Sequence, residues 1–162
     1  MAGSISFRPA RSGETAALTE LCIRSKAHWG YDERFMESSR EALTVKPARV
    51  ESGDVIVAEF QGQPAGVAAI APDGDGFEID LFFVDPAAMG RGVGRRLFEA
   101  VIALAKRRGI GALTILSDPN AVSFYEKMGA RPIGRAPSDA IPGRTLPLLE
   151  VDIASTNASI RS

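Results

Sequence analysis

The sequence predicts an α/β domain over residues 1–153: a mixed, mostly antiparallel sheet of seven strands flanked by about four helices. Three observations carry this expectation. Short runs in which apolar and polar residues alternate recur along the chain, bounded by Gly, Pro, Asp and Gln. Between two of the later runs, Val93, Leu97, Val101 and Leu104 recur at helical spacing. The chain has 162 residues, 45% of them hydrophobic, which is enough for one substantial core, and it shows no internal repeat that would suggest a second.

Taken in order, Ile5-Ser6-Phe7-Arg8 before Pro9 reads as the first strand. A helix is expected from near Ser12, with Ser12 as N-cap and Glu14 in the first turn. It carries Leu18, Leu21, Cys22, Ser25 and Trp29 on one face and stops at Gly30. Asp32 caps a second helix that carries Phe35, Met36 and Leu43 and ends before Pro47. Residues 54–60 and 66–71 flank Gln61-Gly62-Gln63-Pro64 and read as an antiparallel hairpin. After the Asp73-Gly74-Asp75-Gly76 turn, the fourth strand places Phe77, Ile79, Leu81 and Phe83 on one face, with Glu78 and Asp80 on the other. The long helix that follows ends on Lys106, Arg107 and Arg108, which suit its negative end, with Gly109 as the stop. Residues 112–116 return as a strand parallel to the fourth, because a strand–helix–strand crossover favours that arrangement. Pro119 opens a short helix that runs to Met128 and Gly129. Residues 131–135 and 145–153 complete the sheet, and residues 154–162 are expected to fray.

A formal net charge of −1 gives no long-range attraction for nucleic acid. No apolar run approaches the ~18 residues of a membrane span, so no membrane partner is expected. Cys22 is the single cysteine, and no basic start precedes an apolar stretch, so a reducing, cytoplasmic setting is expected. His28 and Cys22 do not make a ligand cluster, and no metal is expected. Asn157-Ala158-Ser159 matches a glycosylation pattern only formally.

The segment Val84-Asp85-Pro86-Ala87-Ala88-Met89-Gly90-Arg91-Gly92-Val93-Gly94-Arg95-Arg96-Leu97 leads a strand into a helix through closely spaced glycines. Such a turn lets backbone N–H groups and the positive end of a helix dipole face an anion, so a phosphorylated cofactor is expected. Arg95-Arg96 after Gly94 excludes the Lys-Ser/Thr of a P-loop. A dinucleotide fingerprint would need glycine at 95 or 97, and it would normally follow the first strand rather than the fourth.

Together with Ser117-Asp118-Pro119-Asn120-Ala121-Val122-Ser123-Phe124-Tyr125-Glu126-Lys127-Met128-Gly129, this segment resembles the GNAT superfamily of acyl-CoA-dependent N-acetyltransferases, and the likeness covers most of the chain. The resemblance implies a β-bulge that splays the fourth strand from the fifth, with acetyl-CoA in the V-shaped gap. It implies that backbone groups of Phe82, Phe83 and Val84 hold the acetyl carbonyl and pantetheine arm. The N–H groups of Gly90, Arg91, Gly92, Val93, Gly94 and Arg95 would bind the pyrophosphate, and Tyr125 would lie near the thioester sulfur. Two positions depart from the family pattern. Met89 stands where Gln or Arg is usual, so a polar contact near the loop entrance is either lost or supplied by Arg91 or Arg95. Asp118 stands where Asn is usual; it also suits a helix cap, and either it or Asn120 is left to meet the pantetheine.

Acetyl transfer to an amine of pKa ~10.4 calls for a base, for stabilisation of charge on the carbonyl oxygen and for a proton on the leaving thiolate. Glu78 is the first candidate base. It lies four residues before Phe82, an offset that resembles the strand glutamate of the histone-acetylating branch. Asp80 competes, and both equally suit the solvated side of a half-buried strand. Tyr125, a phenol of pKa ~10, is the candidate acid. The resemblance places the joint that holds Trp29 and Tyr31 over the acceptor end of the cleft, where residues 138–144 form the other wall and Arg144 is a candidate partner for an acidic acceptor. The expected function is transfer of an acetyl group from acetyl-CoA to a primary amine of a small molecule or peptide. The alternative is a non-catalytic acyl-CoA-binding sensor, and homodimerisation is left open.

Overall fold

In the computed structural model, residues 4–153 are described; the tail at 154–162 lies outside them. The strands are β1 (Ile5–Pro9), β2 (Val55–Phe60), β3 (Gln63–Asp73), β4 (Gly76–Val84), β5 (Ala112–Leu116), β6 (Arg131–Pro137) and β7 (Thr145–Asp152). They form one sheet in the order β1-β2-β3-β4-β5-β7-β6, antiparallel throughout except for the β4–β5 pair. The helices are α1 (Thr15–Ala27), α2 (Glu33–Leu43), α3 (Pro47–Glu51), α4 (Val93–Arg107) and α5 (Val122–Lys127). None of the helices is long and apolar enough to cross a membrane.

The sheet separates two apolar layers. On one face, α4 lays Leu97, Phe98, Val101 and Ala105, all fully buried, against Ala58, Ala68 and Ile79. On the other, Leu18, Leu21 and Cys22 of α1 cover Val55, Val57 and Val67. The alternation of Val57 with Ala58, and of Val67 with Ala68, between the two layers is the two-residue period of a strand buried on both sides. Gly66 sets how closely α4 approaches the sheet. A Cβ there would stand 3.1 Å from Leu97 Cδ2 and 3.3 Å from the Phe83 carbonyl oxygen.

Three local expectations are corrected. Unbroken alternation in β4 fails because Leu81 pairs with Ala69 while Ile79 pairs with Ile70, leaving Asp80 as an extra residue. This bulge reverses the phase of the strand: Ile79 joins the α4 layer, whereas Leu81 and Phe83 join the α1 layer. Glu78, opposite Ile79, therefore shares its face with Leu81 and Phe83 rather than opposing them. Three helices rather than two separate β1 from β2, because Pro47 does not only stop α2 but occupies the first turn of α3. The chain enters α1 through a 3₁₀ turn, Ser12–Glu14, in which the Glu14 carboxylate accepts the Arg11 N–H at 2.9 Å, so Ser12 is not the cap.

Candidate active site

Strand β5 pairs with β4 only at Glu78–Thr114 and Ile79–Ile115. Beyond the bulge the two strands part, and the edge of β4 that faces β5 keeps backbone groups without a strand partner. A cavity of about 510 Å³ occupies this gap. Phe82, Phe83 and Val84 line it from β4, Asp118, Asn120 and Tyr125 from the β5–α5 side, and Ser25, Lys26 and Trp29 from the end of α1.

The floor of the gap is the glycine turn. Gly90 and Gly92 have φ of +80° and +82°, a left-handed backbone that a side chain disfavours, and Gly92 is the N-cap of α4. The first helical bond runs from Arg96 N–H to the Gly92 carbonyl at 3.2 Å. The N–H groups of Val93, Gly94 and Arg95 precede it and have no acceptor among the described residues, so the start of α4 is an open set of donors at the positive end of a helix. The side chain of Val93 is buried in the α4 layer, which leaves only its backbone for the gap. Gly94 is helical, and a Cβ there would lie in ordinary contact with the Phe124 ring at 3.4 Å. Met89, Gly90 and Arg95 also line the cavity, while Arg91 is exposed outside it.

Tyr125 sits on the wall of the gap among Phe82, Phe98 and Phe124, with ring centroids 5.8, 6.2 and 5.3 Å away. It is 6% exposed, and its hydroxyl has no hydrogen-bond partner among the described residues. Burial, and then the Asp118 charge, push its pKa well above the ordinary tyrosine value, so the phenol stays protonated at any neutral pH.

Asp118 gathers side chains from three parts of the chain. One carboxylate oxygen accepts Lys26 Nζ at 2.5 Å and the Tyr31 hydroxyl at 2.7 Å; the other accepts the Asn120 backbone N–H at 2.8 Å and Asn120 Nδ2 at 2.9 Å. Burial works to raise the Asp118 pKa, but these donors hold it below the usual aspartate value. Burial and the bond to Asp118 raise the Tyr31 pKa. Asp118 is thus both the N-cap of the 3₁₀ turn Pro119–Ala121 and a clasp between the α1–α2 joint and the far side of the gap.

Glu78 does not line the cavity. Burial, followed by the charges of Asp73, Asp80 and Asp139, lifts its pKa to about 7. Asp80 does line the cavity, but Arg49 of α3 holds both of its oxygens at 2.6 and 3.0 Å. Trp29 lies beyond the end of α1 and is 44% exposed on the cavity wall, so it stands at the joint between α1 and α2 and not on the buried face of the helix. Tyr31 reaches the site through its hydroxyl alone. Sequence reasoning did not single out Lys26, although it falls within the joint, between Ser25 and Trp29.

The Acetyltransferase (GNAT) domain family matches residues 15–139. Among curated relatives, a peptidyl-lysine N-acetyltransferase, YjaB, of Salmonella typhimurium (strain LT2) is 34% identical over 93 residues, 56% of this chain and 58% of that protein. An uncharacterized N-acetyltransferase, MJ1207, of Methanocaldococcus jannaschii is 29% identical over 117 residues, 64% of this chain and 51% of its own length. The chain therefore spans a little over half the length of the curated relatives it matches. Among solved structures, a GCN5-related N-acetyltransferase from Rhodopseudomonas palustris superposes with a TM-score of 0.75 at 27% identity, covering 94% of this chain and 98% of that one. The yncA acetyltransferase of Salmonella typhimurium, solved with acetyl-CoA, shares the fold at a TM-score of 0.67 and 24% identity, over 93% of this chain and 94% of its own.

Proposed function

Since this chain belongs to the GNAT acetyltransferase family, we propose that it transfers an acetyl group from acetyl-CoA to a primary amine of a small molecule or peptide. The observation that carries the reading is the parting of β4 from β5 directly above an open ring of backbone donors, with an unpartnered tyrosine hydroxyl on the wall. The residues fit the donor molecule. Gly90 and Gly92 leave open space where side chains would crowd a pyrophosphate, and the free N–H groups of Val93, Gly94 and Arg95 suit its charge. When bound, acetyl-CoA supplies a thioester acyl group and a thiol leaving group.

Each catalytic need has a candidate residue in this chain. A backbone N–H within Phe82 to Val84, on the edge of β4 that β5 leaves unpaired, is the donor for a carbonyl oxygen. Tyr125 holds a proton at its hydroxyl and delivers it to the departing sulfur. Glu78, with a pKa of about 7, accepts a proton from the acceptor ammonium through water, because it lies outside the cavity wall. Asp80 is the weaker base candidate, since Arg49 occupies both its oxygens. The name of the Salmonella relative adds a protein lysine to the candidate acceptors.

The test combines thermal stability in acetyl-CoA, CoA and NAD with thiol release across amines, amino acids, polyamines and peptides. Stabilisation by acetyl-CoA and CoA but not NAD, with thiol release that depends on an amine, is the expected result. Stabilisation with no release from any amine supports an acyl-CoA sensor, and no stabilisation overturns the reading of the glycine turn.

A further inference from the structure

Three arginines among the described residues are not solvent-exposed: Arg8, Arg49 and Arg144. The first two are satisfied by carboxylates. Arg8 grips Glu14 through two nitrogens and Glu59 through a third, and Arg49 forks onto Asp80. Arg144 has no carboxylate within ion-pair distance among the described residues. It donates once, to the Tyr31 hydroxyl at 3.2 Å, and lays its guanidinium over the rings of Phe35 (4.9 Å) and Tyr31 (5.6 Å). Those rings stack 3.9 Å apart at an interplanar angle of 10°, which makes a flat, stiff seat for the guanidinium.

The charges of this cluster do not cancel. Lys26 and Arg144 are cationic and Asp118 is the single anion, already bonded to Lys26 at 2.5 Å. The surplus positive charge rests on Arg144, which keeps four of the five guanidinium N–H donors unused on the chain itself. A half-buried guanidinium with a free fork is completed by a carboxylate, because two parallel charge-assisted bonds offset the desolvation of both partners. Arg144 also stands beside the gap: Tyr31 bridges it to Asp118, and Leu146, two residues on, lines the cavity. The same loop carries Asp139 at its other end, where that charge acts on Glu78. One loop thus sets a negative end toward the candidate base and a positive end on the aromatic seat.

We propose that Arg144 receives a carboxylate of the acceptor, so that the acceptor is amino-acid-like, with its amine and its carboxylate in one small molecule. The proposal rests on the acetyltransferase reading. The transfer forms an amide N–C bond and breaks the thioester C–S bond, with a proton from the amine ending on the departing sulfur; the carboxylate only orients the acceptor.

The experiment titrates CoA-saturated protein calorimetrically with each proteinogenic L-amino acid and with its carboxamide, in wild type, Arg144→Gln and Arg144→Lys. In wild type, at least one amino acid should bind about tenfold or more tightly than its amide, the range expected for a charge-assisted pair. Arg144→Gln should erase that preference, and Arg144→Lys should restore part of it, while the thermal shift produced by acetyl-CoA stays unchanged. In turnover, Arg144→Gln should raise KM for the free acid and leave kcat nearly constant. The proposal is overturned if no amino acid outbinds its amide, a comparison that needs no variant, or if Arg144→Gln weakens acids and amides alike. Selective acid binding without thiol release from acetyl-CoA leaves the carboxylate site standing and removes the transfer reading. Thiol release that does not distinguish acids from amides does the reverse.

Discussion

Replacing Glu78 by Gln removes one ionisation and keeps the shape of the side chain, which makes it the sharpest probe of the candidate base. The carboxyl has been lifted from its ordinary 4.5 to about 7 by burial and by the charges of Asp73, Asp80 and Asp139. A group whose folded pKa lies above its unfolded value holds its proton longer in the folded state. Stability therefore falls as the pH rises from about 4.5 to about 7 and is level on either side. A displacement of that size corresponds to roughly 3 kcal/mol at about 1.4 kcal/mol per pH unit. Because the side chain is partly exposed, solvent screening reduces this to about 1 to 2 kcal/mol. Glu78→Gln should therefore match the wild type near pH 4 and exceed it above pH 7, by about 2 to 6 °C in Tm for a chain of this size. Urea or thermal unfolding at a series of pH values reads the difference directly. The companion measurement is kcat/KM against pH: the wild type should rise through a limb near 7, and the variant should lack it. Parallel stability curves for the two proteins would refute the electrostatic account, and overlaid rate profiles would remove Glu78 from the mechanism.

Tyr125→Phe should lower turnover by about two orders of magnitude, as expected for loss of a positioned acid. The thermal shift with acetyl-CoA should persist, since the ring stays in its aromatic cluster; unchanged turnover would dismiss the hydroxyl. Gly66→Ala puts a Cβ 3.1 Å from Leu97 and 3.3 Å from the Phe83 carbonyl, an overpacking that should cost about 1 to 3 kcal/mol in a denaturant melt. Gly92→Ala forces a side chain to φ +82°, a strain of about 1 to 3 kcal/mol, and should shrink the thermal shift with acetyl-CoA. Gly94→Ala, whose Cβ makes only an ordinary contact with Phe124, should shrink it far less.

Order and type of the strands and of the long helix were legible because each depends on periodicity that residues close in sequence display together. The bulge that the family resemblance implied does not show in the alternation of β4 itself, because a period-two reading assumes one phase throughout a strand. The phase change at Asp80 is set by pairing with β3 rather than by β4 itself. Pro47 was ambiguous for a related reason: the ring that ends one helix is preorganised to begin another. The placement of Trp29 on the buried face of the first helix fails because helical spacing from Leu18 and Leu21 continues in the sequence past Ala27, where the helix ends. The open donors of the glycine turn were readable because they are consecutive in the sequence. The clasp on Asp118 was not, since Lys26 and Tyr31 lie 92 and 87 residues away and nothing local ties them to it.

The short pairing of β4 with β5 has a consequence for how the molecule breathes. Two residue pairs are the whole ladder joining β1–β4 to β5–β7, so the sheet is least protected along this seam. Cooperative opening of native structure starts where backbone bonds and packing are sparsest, and here that is the proposed donor site. Bound ligand then acts as mortar between two walls, and amide exchange should slow most on both banks of the seam, at β4 and β5, and at the start of α4, well ahead of the distant edge at β1.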